Sequence, residues 1–363
     1  MNVTVLILAA LGVVMLVGGA EMLVRGASRF SARFGISPLV IGLTVVAFGT
    51  SSPELAVSIK AGFAAQSDIA LGNVVGSNIL NVLLILGLSA LITPLVVSRQ
   101  LVRLEIPLLI GSSLVLLLMT VDEHVSHFDG VLLVIGILAY TLFAIRHSHK
   151  ENMAVKAEYA GAFNESERTG NGKLFLEFLF VIVGLALLMF GAHWIVESAV
   201  VVARWLGVSE LIIGLTIVAV GTSLPEVATS IVAALRGERD IAVGNVIGSC
   251  LFNILAVTGI AAMVTPNGLE ASPALVRFDI PVMVAVTLAC LPIFATGHLI
   301  ARWEGGLFLG YYLAYVLYLV LTATGHDSLP VFSTAMLGFA LPITAVTLIV
   351  LWMRQRAPVG KSV

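Results

Sequence analysis

The residues with the clearest chemical potential are two glutamates in otherwise apolar segments, Glu54 and Glu226, each of which directly follows a proline. An ionisable side chain in such a segment is costly to keep, so it usually marks a functional site. The surrounding sequences read GTSSPE and GTSLPE, and a threonine stands four positions before each acid. Residues four apart share one face of a helix, so Thr50 and Thr222 present their hydroxyls beside the carboxylates.

The two motifs belong to a longer internal repeat. Residues 42–94 and 214–266 align without a gap at an offset of 172, and 28 of the 53 paired positions are identical. The repeat continues at an offset of 174, where LVRLEIP at 101–107 matches LVRFDIP at 275–281. The chain therefore consists of two related halves, and each half carries one copy of the acidic motif.

Each copy surrounds its acid with further oxygen-bearing side chains. Any single serine or threonine in an apolar helix commonly bonds its own helix backbone. Here, however, all five polar positions recur while many apolar neighbours differ, which favours a shared site. The expected side chains are Thr50, Ser51, Glu54, Ser77 and Asn81 in the first half, and Thr222, Ser223, Glu226, Ser249 and Asn253 in the second.

Ligands of this kind favour hard cations such as Ca²⁺ or Na⁺ over zinc or copper. Two carboxylates would neutralise one divalent ion. Pro53 and Pro225 remove backbone donors and so release helix carbonyls as further ligands.

Asn73 and Asn245 also recur, and the sequence leaves open whether they line the site or cap a broken helix. Glycines 72, 76, 244 and 248 are expected to allow close helix approach.

Composition identifies the setting of this site. Of the 363 residues, 59% are hydrophobic and 11% are charged, with a mean hydropathy of +1.08, whereas soluble domains carry about 25% charged residues. We therefore expect an integral membrane protein whose partners are inorganic cations and the lipid bilayer. No basic patch suggests nucleic acid, and we expect neither a resident cofactor nor a protein partner.

Apolar segments of about 20 residues predict an all-α fold with eleven spans. Each repeat holds five spans, and the eleventh has no counterpart. The predicted division is a first repeat at 1–146, a cytoplasmic linker at 147–173, a second repeat at 174–325, and an additional helix and tail at 326–363. The spans are expected near 3–24, 37–65, 69–92, 101–120, 128–146, 174–197, 209–235, 240–264, 275–295, 303–323 and 331–353.

Charge predicts the orientation of these spans. Sixteen of the nineteen Lys and Arg residues fall in one set of alternate loops, and cytoplasmic loops collect such residues. This bias predicts a plasma-membrane protein (inner membrane in a bacterium) with its N-terminus outside and its C-terminus in the cytoplasm. Because five is an odd number of spans, the second repeat must enter the membrane from the opposite side, so the repeats are inverted.

The motifs GTSSPE and GTSLPE, followed by GNVVGSNILN and GNVIGSCLFN, resemble the two alpha-repeats of the sodium/calcium exchanger branch of the cation/calcium antiporter superfamily. The resemblance implies ten core helices in inverted repeats and exchange of sodium for calcium by alternating access. It also implies that the ten side chains above bind the transported ions, helped by backbone carbonyls that include those of Ala47 and Ala219.

Two departures from the family pattern bear on function. Some members carry aspartate where this chain has Asn253, including potassium-dependent ones, so the amide weakens a potassium-coupled interpretation. Cys250 replaces the asparagine found at Asn78. Neither residue shares the helix face of Ser77 and Asn81, so we expect little effect.

Two other functions remain as alternatives. A calcium/proton exchanger, or an exchanger of another divalent cation for protons, would use the same glutamate pair. An intramembrane hydrolase is the remote alternative, and it would need paired aspartates or a Ser–His dyad within the spans. Near mid-span the chain offers only Glu54 and Glu226, each one turn from a threonine. We therefore expect a transporter and not an enzyme.

Overall fold

The computed structural model describes residues 3–158 and 171–356, which are largely helical. Eleven helices or broken helix pairs fall at the eleven predicted positions. They are α1 (Val3–Phe34), α2a (Pro38–Thr50) and α2b (Ser52–Phe63), α3 (Ser67–Ile92), α4 (Leu101–Met119), α5 (His127–Glu158), α6 (Asn171–Trp205), α7a (210–221) and α7b (Leu224–Leu235), α8 (Arg239–Val264), α9 (Leu275–Ala295), α10 (Arg302–Ala323) and α11 (Leu329–Leu351).

Nine of the described helices are long and apolar enough to cross a membrane, and α2a with α2b makes a tenth span bent by 44°. The pair α7a and α7b occupies the equivalent position in the second half. Helices α5 and α6 extend into the predicted linker at 147–173, and residues 159–170 of that linker lie outside the described residues.

The breaks in α2 and α7 have a local cause. Ser51 and Ser223 interrupt the two helices with nearly the same backbone angles, φ −85° and ψ 7° against φ −89° and ψ 4°. Pro53 and Pro225 follow in the first turn of α2b and α7b, where the missing N–H of proline costs nothing. Each glutamate therefore lies in the first turn of a helix that starts within the apolar region.

Three pairs of π-helical turns recur between the halves at the offsets of the sequence repeat. They span 42–46 and 214–218, 81–86 and 253–257, and 101–105 and 275–279. Such widened turns are rare and occur frequently at functional sites. Here the first pair precedes the helix breaks, and the second pair begins at Asn81 and Asn253.

Helices α1 and α6 are equivalent by sequence and pack against each other through glycines. A Cβ built on Gly19 would lie 2.7 Å from the Gly184 carbonyl oxygen, and one built on Gly191 would lie 2.7 Å from that of Gly12. Position 12 thus faces 191 while position 19 faces 184, so the helices run antiparallel. In the sequence repeat Gly12 corresponds to Gly184, and Gly19 corresponds to Gly191. The contact between positions 19 and 184 is therefore equivalent to the contact between 191 and 12, as inverted repeats require.

Two short β-ribbons also join the halves. Strands β1 (Leu95–Val96) and β4 (Leu299–Ile300) pair antiparallel, as do β2 (His124–Val125) and β3 (Leu269–Glu270). Each ribbon takes one strand from each half. The pairing continues in two flanking backbone bonds of 2.8 Å, from Val97 N to His298 O and from Ala271 N to Glu123 O.

Helices α3 and α8 form the centre of the molecule. In their apolar stretches 72% and 89% of the residues are buried, against 6% in α11. Helix α11 is anchored to α10 by the Tyr311 hydroxyl, which donates to Thr344 Oγ1 over 2.6 Å. The glutamates and their neighbours therefore lie around a central helix pair, and α11 lies at the periphery.

Candidate ion-binding site

The helix breaks bring both glutamates to the centre, where each side chain is fully buried. Their hydrogen bonds cross between the halves. Ser51 Oγ donates to Glu226 Oε1 over 2.9 Å, and Ser223 Oγ donates to Glu54 Oε1 over 3.0 Å. Each carboxylate is therefore held by the serine that precedes the other, so the two acids form a single site.

The second oxygen of each carboxylate has no partner. Glu54 Oε2 and Glu226 Oε2 are buried without a hydrogen bond from any residue in the described part of the chain. Leaving a carboxylate oxygen dry and unpaired is costly. Two such oxygens in one site are suited to a shared cation, and together the carboxylates balance the charge of one divalent ion.

Two asparagines show the same deficiency. Within the described ranges both amide atoms of Asn81 and the Oδ1 of Asn253 are buried without a hydrogen-bond partner. Both residues start π-helical turns beside the acids. Their unpaired carbonyl oxygens are suitable ligands for a cation or a bound water molecule.

Asn78 contacts this group, although it was not expected on the face of Ser77 and Asn81; the small effect expected of the Asn78/Cys250 difference stays a prediction. Asn253 Nδ2 donates to Asn78 Oδ1 over 3.4 Å. Ideal spacing along α3 places Asn78 off the face of Ser77 and Asn81, but it does not specify which side chain of α8 reaches Asn78. Cys250, the counterpart of Asn78, places its Sγ 3.9 Å from the Asn78 carbonyl instead.

The predicted hydroxyl residues join the same cluster. Thr50 Oγ1 donates to Asn245 Oδ1 over 3.1 Å and lies 3.5 Å from Ser249 Oγ. In the opposite copy, Thr222 Oγ1 donates to Asn73 Oδ1 over 3.4 Å, and Ser223 Oγ lies 3.2 Å from Ser77 Oγ. All of these contacts join one half to the other, and so does the contact between Asn253 and Asn78.

The two predicted alanine carbonyls differ in their surroundings. The Ala47 carbonyl accepts from Ser51 N over 3.0 Å and lies 3.4 Å from Thr50 Oγ1. In the second half, Ser223 N donates to the Val220 carbonyl over 3.1 Å. The backbone of α7a beside Ala219 is therefore bonded differently from its counterpart in α2a.

This difference extends to the packing of α2a and α7a. Helix α2a packs tightly on α8, because a Cβ built on Gly248 would lie 2.6 Å from the Leu43 Cα. A Cβ built on Gly76, the counterpart of Gly248, would meet nothing within 4 Å. Val46 is fully buried, whereas its counterpart Val218 is 47% exposed. Helix α2a is thus packed closely against α8, whereas α7a leaves open space beside α3.

The expectation of close approach therefore holds for α8 and not for α3. Gly244 and Gly248 contact the backbone of α2a, whereas Gly72 and Gly76 face open space. Two identical glycine patterns have different surroundings, because the halves of this structure adopt different conformations.

The site does not depend on a cluster of strong metal ligands. No group of three or more His, Cys, Asp or Glu side chains gathers at one point in the residues that the structure describes. Two carboxylates supplemented by hydroxyl, amide and carbonyl oxygens form a mixed site. Such a site suits a cation that must bind and then leave.

Comparison with known proteins agrees with this geometry. The family model described as sodium/calcium exchanger protein matches residues 4–146 and 176–321, and its match ends before α11. The sodium/calcium exchanger MaX1 of Methanosarcina acetivorans is 35% identical, over 85% of this chain and 96% of its own length. The inner membrane protein YrbG of Escherichia coli is 39% identical, over 77% and 86%.

A third relative is the putative antiporter CaxA of Alkalimonas amylolytica, which is 38% identical over 78% of this chain and 88% of its own length. Among solved structures, the sodium-calcium exchanger NCX_Mj superimposes with a TM-score of 0.75 at 30% identity, covering 87% of this chain and 99% of that one. The matched regions contain both acidic motifs and both ribbons, and the chain belongs to the sodium/calcium exchanger family.

Proposed function

We propose that this protein is a secondary-active antiporter that exchanges sodium for calcium across the membrane by alternating access. The crossed glutamate pair carries the proposal, because it leaves two buried carboxylate oxygens without partners. The proposed ligands are the side chains of Glu54, Glu226, Thr50, Thr222, Ser51, Ser223, Ser77, Ser249, Asn81 and Asn253, with the backbone carbonyls of Ala47 and Ala219.

Exchange follows from a single site that two ions share. Calcium and sodium both take oxygen ligands, and the same two carboxylates can neutralise either one Ca²⁺ or two Na⁺. An empty site would retain two buried negative charges, which is unfavourable in an apolar surrounding. The protein therefore changes conformation readily only when loaded, so that one ion leaves in exchange for the other.

The competing coupling ion is the proton. Two protons would neutralise the same carboxylates, so the geometry of the pair is compatible with calcium/proton exchange. The relative CaxA is named an antiporter without a coupling ion, whereas MaX1 and NCX_Mj are both named sodium exchangers. These names favour sodium. The family consists of exchangers, which supports transport over hydrolysis.

Flux into sealed proteoliposomes tests the proposal. Vesicles loaded with sodium and diluted into sodium-free buffer with ⁴⁵Ca²⁺ should accumulate calcium above its equilibrium level. Vesicles loaded with choline at the same pH should not. Accumulation driven by an imposed pH gradient without sodium would instead establish proton coupling, and equilibration without accumulation would indicate a channel.

We further propose the membrane orientation that the charge bias predicts and the domain division that the internal repeat predicts. The N-terminus lies outside, the C-terminus lies in the cytoplasm, and the halves at 1–146 and 174–325 are joined by a cytoplasmic segment. A cysteine introduced at position 164 should then resist impermeant maleimide in intact cells, whereas one at position 326 should react. The opposite pattern would reverse the orientation.

In this orientation the loosely packed end of the site, beside α7a and α3, lies toward the exterior. The loop between α2b and α3 lies outside, and Gly72 and Gly76 belong to the first turns of α3 after that loop. We therefore propose that the structure represents an outward-facing state, in which sodium would enter from the exterior between α7a and α3.

A further inference from the structure

We infer that Asn73 and Asn245 are positioning residues of the ion site, each of which orients a threonine hydroxyl of the opposite half toward the transported cation. This inference rests on the proposed function, since it concerns ligands of the same site. It assigns a role to two residues outside the proposed ligand set.

The amide of Asn245 is fixed on three sides. Its Nδ2 donates to Ser230 Oγ over 2.9 Å and to the Glu226 carbonyl over 3.4 Å. Its Oδ1 accepts the hydroxyl hydrogen of Thr50 over 3.1 Å. Because both N–H groups already have acceptors within the second half, the amide cannot turn over without losing them. Its oxygen is therefore directed at the first half.

Asn73 repeats this arrangement in the first half. Its Nδ2 donates to Ser58 Oγ over 3.0 Å and to the Glu54 carbonyl over 3.1 Å, and its Oδ1 accepts from Thr222 over 3.4 Å. All three contacts thus recur with equivalent partners. The recurrence shows that the pattern belongs to both halves, although the halves adopt different conformations.

The chemistry of a hydroxyl ligand explains what this bond accomplishes. A hydroxyl binds a cation through a lone pair, so its hydrogen must point away from the ion and requires an acceptor of its own. Without it, the hydrogen turns toward another oxygen of the site, such as a carboxylate or, for Thr50, the Ala47 carbonyl at 3.4 Å, and that oxygen is then less available to the cation. Asn245 supplies the acceptor for Thr50, and Asn73 supplies it for Thr222. The backbone carbonyls of Glu54 and Glu226 accept hydrogen bonds from Asn73 and Asn245. Each asparagine is therefore also tied to the helix turn that carries an acid.

The asparagines around the site therefore fall into two classes. Asn81 and Asn253 have buried carbonyl oxygens that lack a hydrogen-bond partner among the described residues, which suits them to be ligands. Asn73 and Asn245 have both donors and acceptors engaged. A residue of the second class acts through the threonine that it holds.

A double-mutant cycle on the buried pair tests the inference. Thr50→Val and Asn245→Ala should each weaken calcium binding by about tenfold, which is the effect of losing one hydrogen bond in a charged site. The double variant should also lose about tenfold and not about a hundredfold, because both changes remove the same oriented hydroxyl. Binding is measured on purified protein, from the calcium and sodium dependence of its thermal unfolding.

The partly exposed pair provides a second cycle in case Asn245→Ala fails to fold. Thr222→Val and Asn73→Ala should show the same non-additive loss. Thr44→Val is the matched control, because Thr44 lies in α2a and donates to the Val40 carbonyl of its own helix over 2.6 Å. This control should leave calcium and sodium binding unchanged.

Asn245→Asp separates positioning from direct ligation. Aspartate keeps an acceptor for Thr50 but loses both donors, so calcium binding should weaken. Stronger calcium binding in this variant would make Asn245 a ligand and overturn the inference, as would losses that multiply in both cycles. If sodium but not calcium changed the thermal unfolding of the wild-type protein, the proposed exchange would be refuted but the positioning role would not. The two mutant cycles would then be evaluated from sodium binding. A protein that responds to neither ion would refute both.

Discussion

Replacement of Glu54 or Glu226 by glutamine is expected to abolish calcium transport while leaving the protein folded. Glutamine keeps an acceptor for the opposite serine, so the crossed bonds Ser223–Glu54 and Ser51–Glu226 can persist. The remaining carboxylate then faces a divalent ion alone. Removing one partner of a buried charge pair costs about 3–5 kcal/mol, which lowers the affinity for calcium by about two to four orders of magnitude.

Glu105→Gln is the matched control for these variants. Glu105 is also fully buried, but it accepts hydrogen bonds from Tyr140 over 2.6 Å and Gln100 over 2.9 Å, outside the ion site. Sodium-driven uptake of ⁴⁵Ca²⁺ should persist in this control and disappear in Glu54→Gln and Glu226→Gln. Uptake at the wild-type rate in either site variant would refute the assignment of the carboxylates.

Valine at Gly248 or Gly76 is expected to stop exchange by shifting the conformational equilibrium in opposite directions. A side chain at Gly248 would collide with the backbone of Leu43, whereas one at Gly76 would meet open space. Overpacking of this kind costs about 1–3 kcal/mol, enough to change a population ratio by about five- to two-hundredfold. Gly248→Val should open the α2a end, and Gly76→Val should prevent closure of the α7a end.

Cysteine reactivity reports these two shifts. A cysteine replacing Val218, which is exposed, should react quickly with a small thiol reagent, and one replacing Val46, which is buried, should not. Gly76→Val should preserve this pattern, and Gly248→Val should increase the reactivity at position 46. The native cysteines Cys250 and Cys290 are buried and provide a low background. Equal effects of the two valines on position 46 would contradict the proposed asymmetry.

Much of the fold could be predicted from the sequence, because a membrane imposes strong periodic constraints. Apolar length located the spans, and the constant offset identified the halves. Pro53 and Pro225 predicted the broken helices, since proline cannot continue a helix without losing a bond. The approach of the predicted side chains to one point followed from helical spacing combined with duplication.

Other features depend on geometry that residue types do not specify. Asn78 lies in the regular part of α3, and spacing along one helix cannot specify that Asn253 reaches it from α8. The difference between Gly248 and Gly76 is a property of one conformational state, and equivalent sequences cannot specify which half is closed. The hydrogen bonds of the Asn73 and Asn245 side chains could not be predicted from the sequence, because either the oxygen or the nitrogen of a side-chain amide can face a given neighbour.

The two β-ribbons limit how this molecule can change shape. Each ribbon pairs a strand of one half with a strand of the other, and the flanking bonds Val97–His298 and Ala271–Glu123 extend the pairing at both places. A rotation of one whole half as a rigid body would have to break these backbone bonds. Elements that carry no ribbon strand are free of this restraint, and α2a and α7a are among them. We therefore expect ion access to change through movements of individual helices such as α2a and α7a, and not through rotation of a whole half.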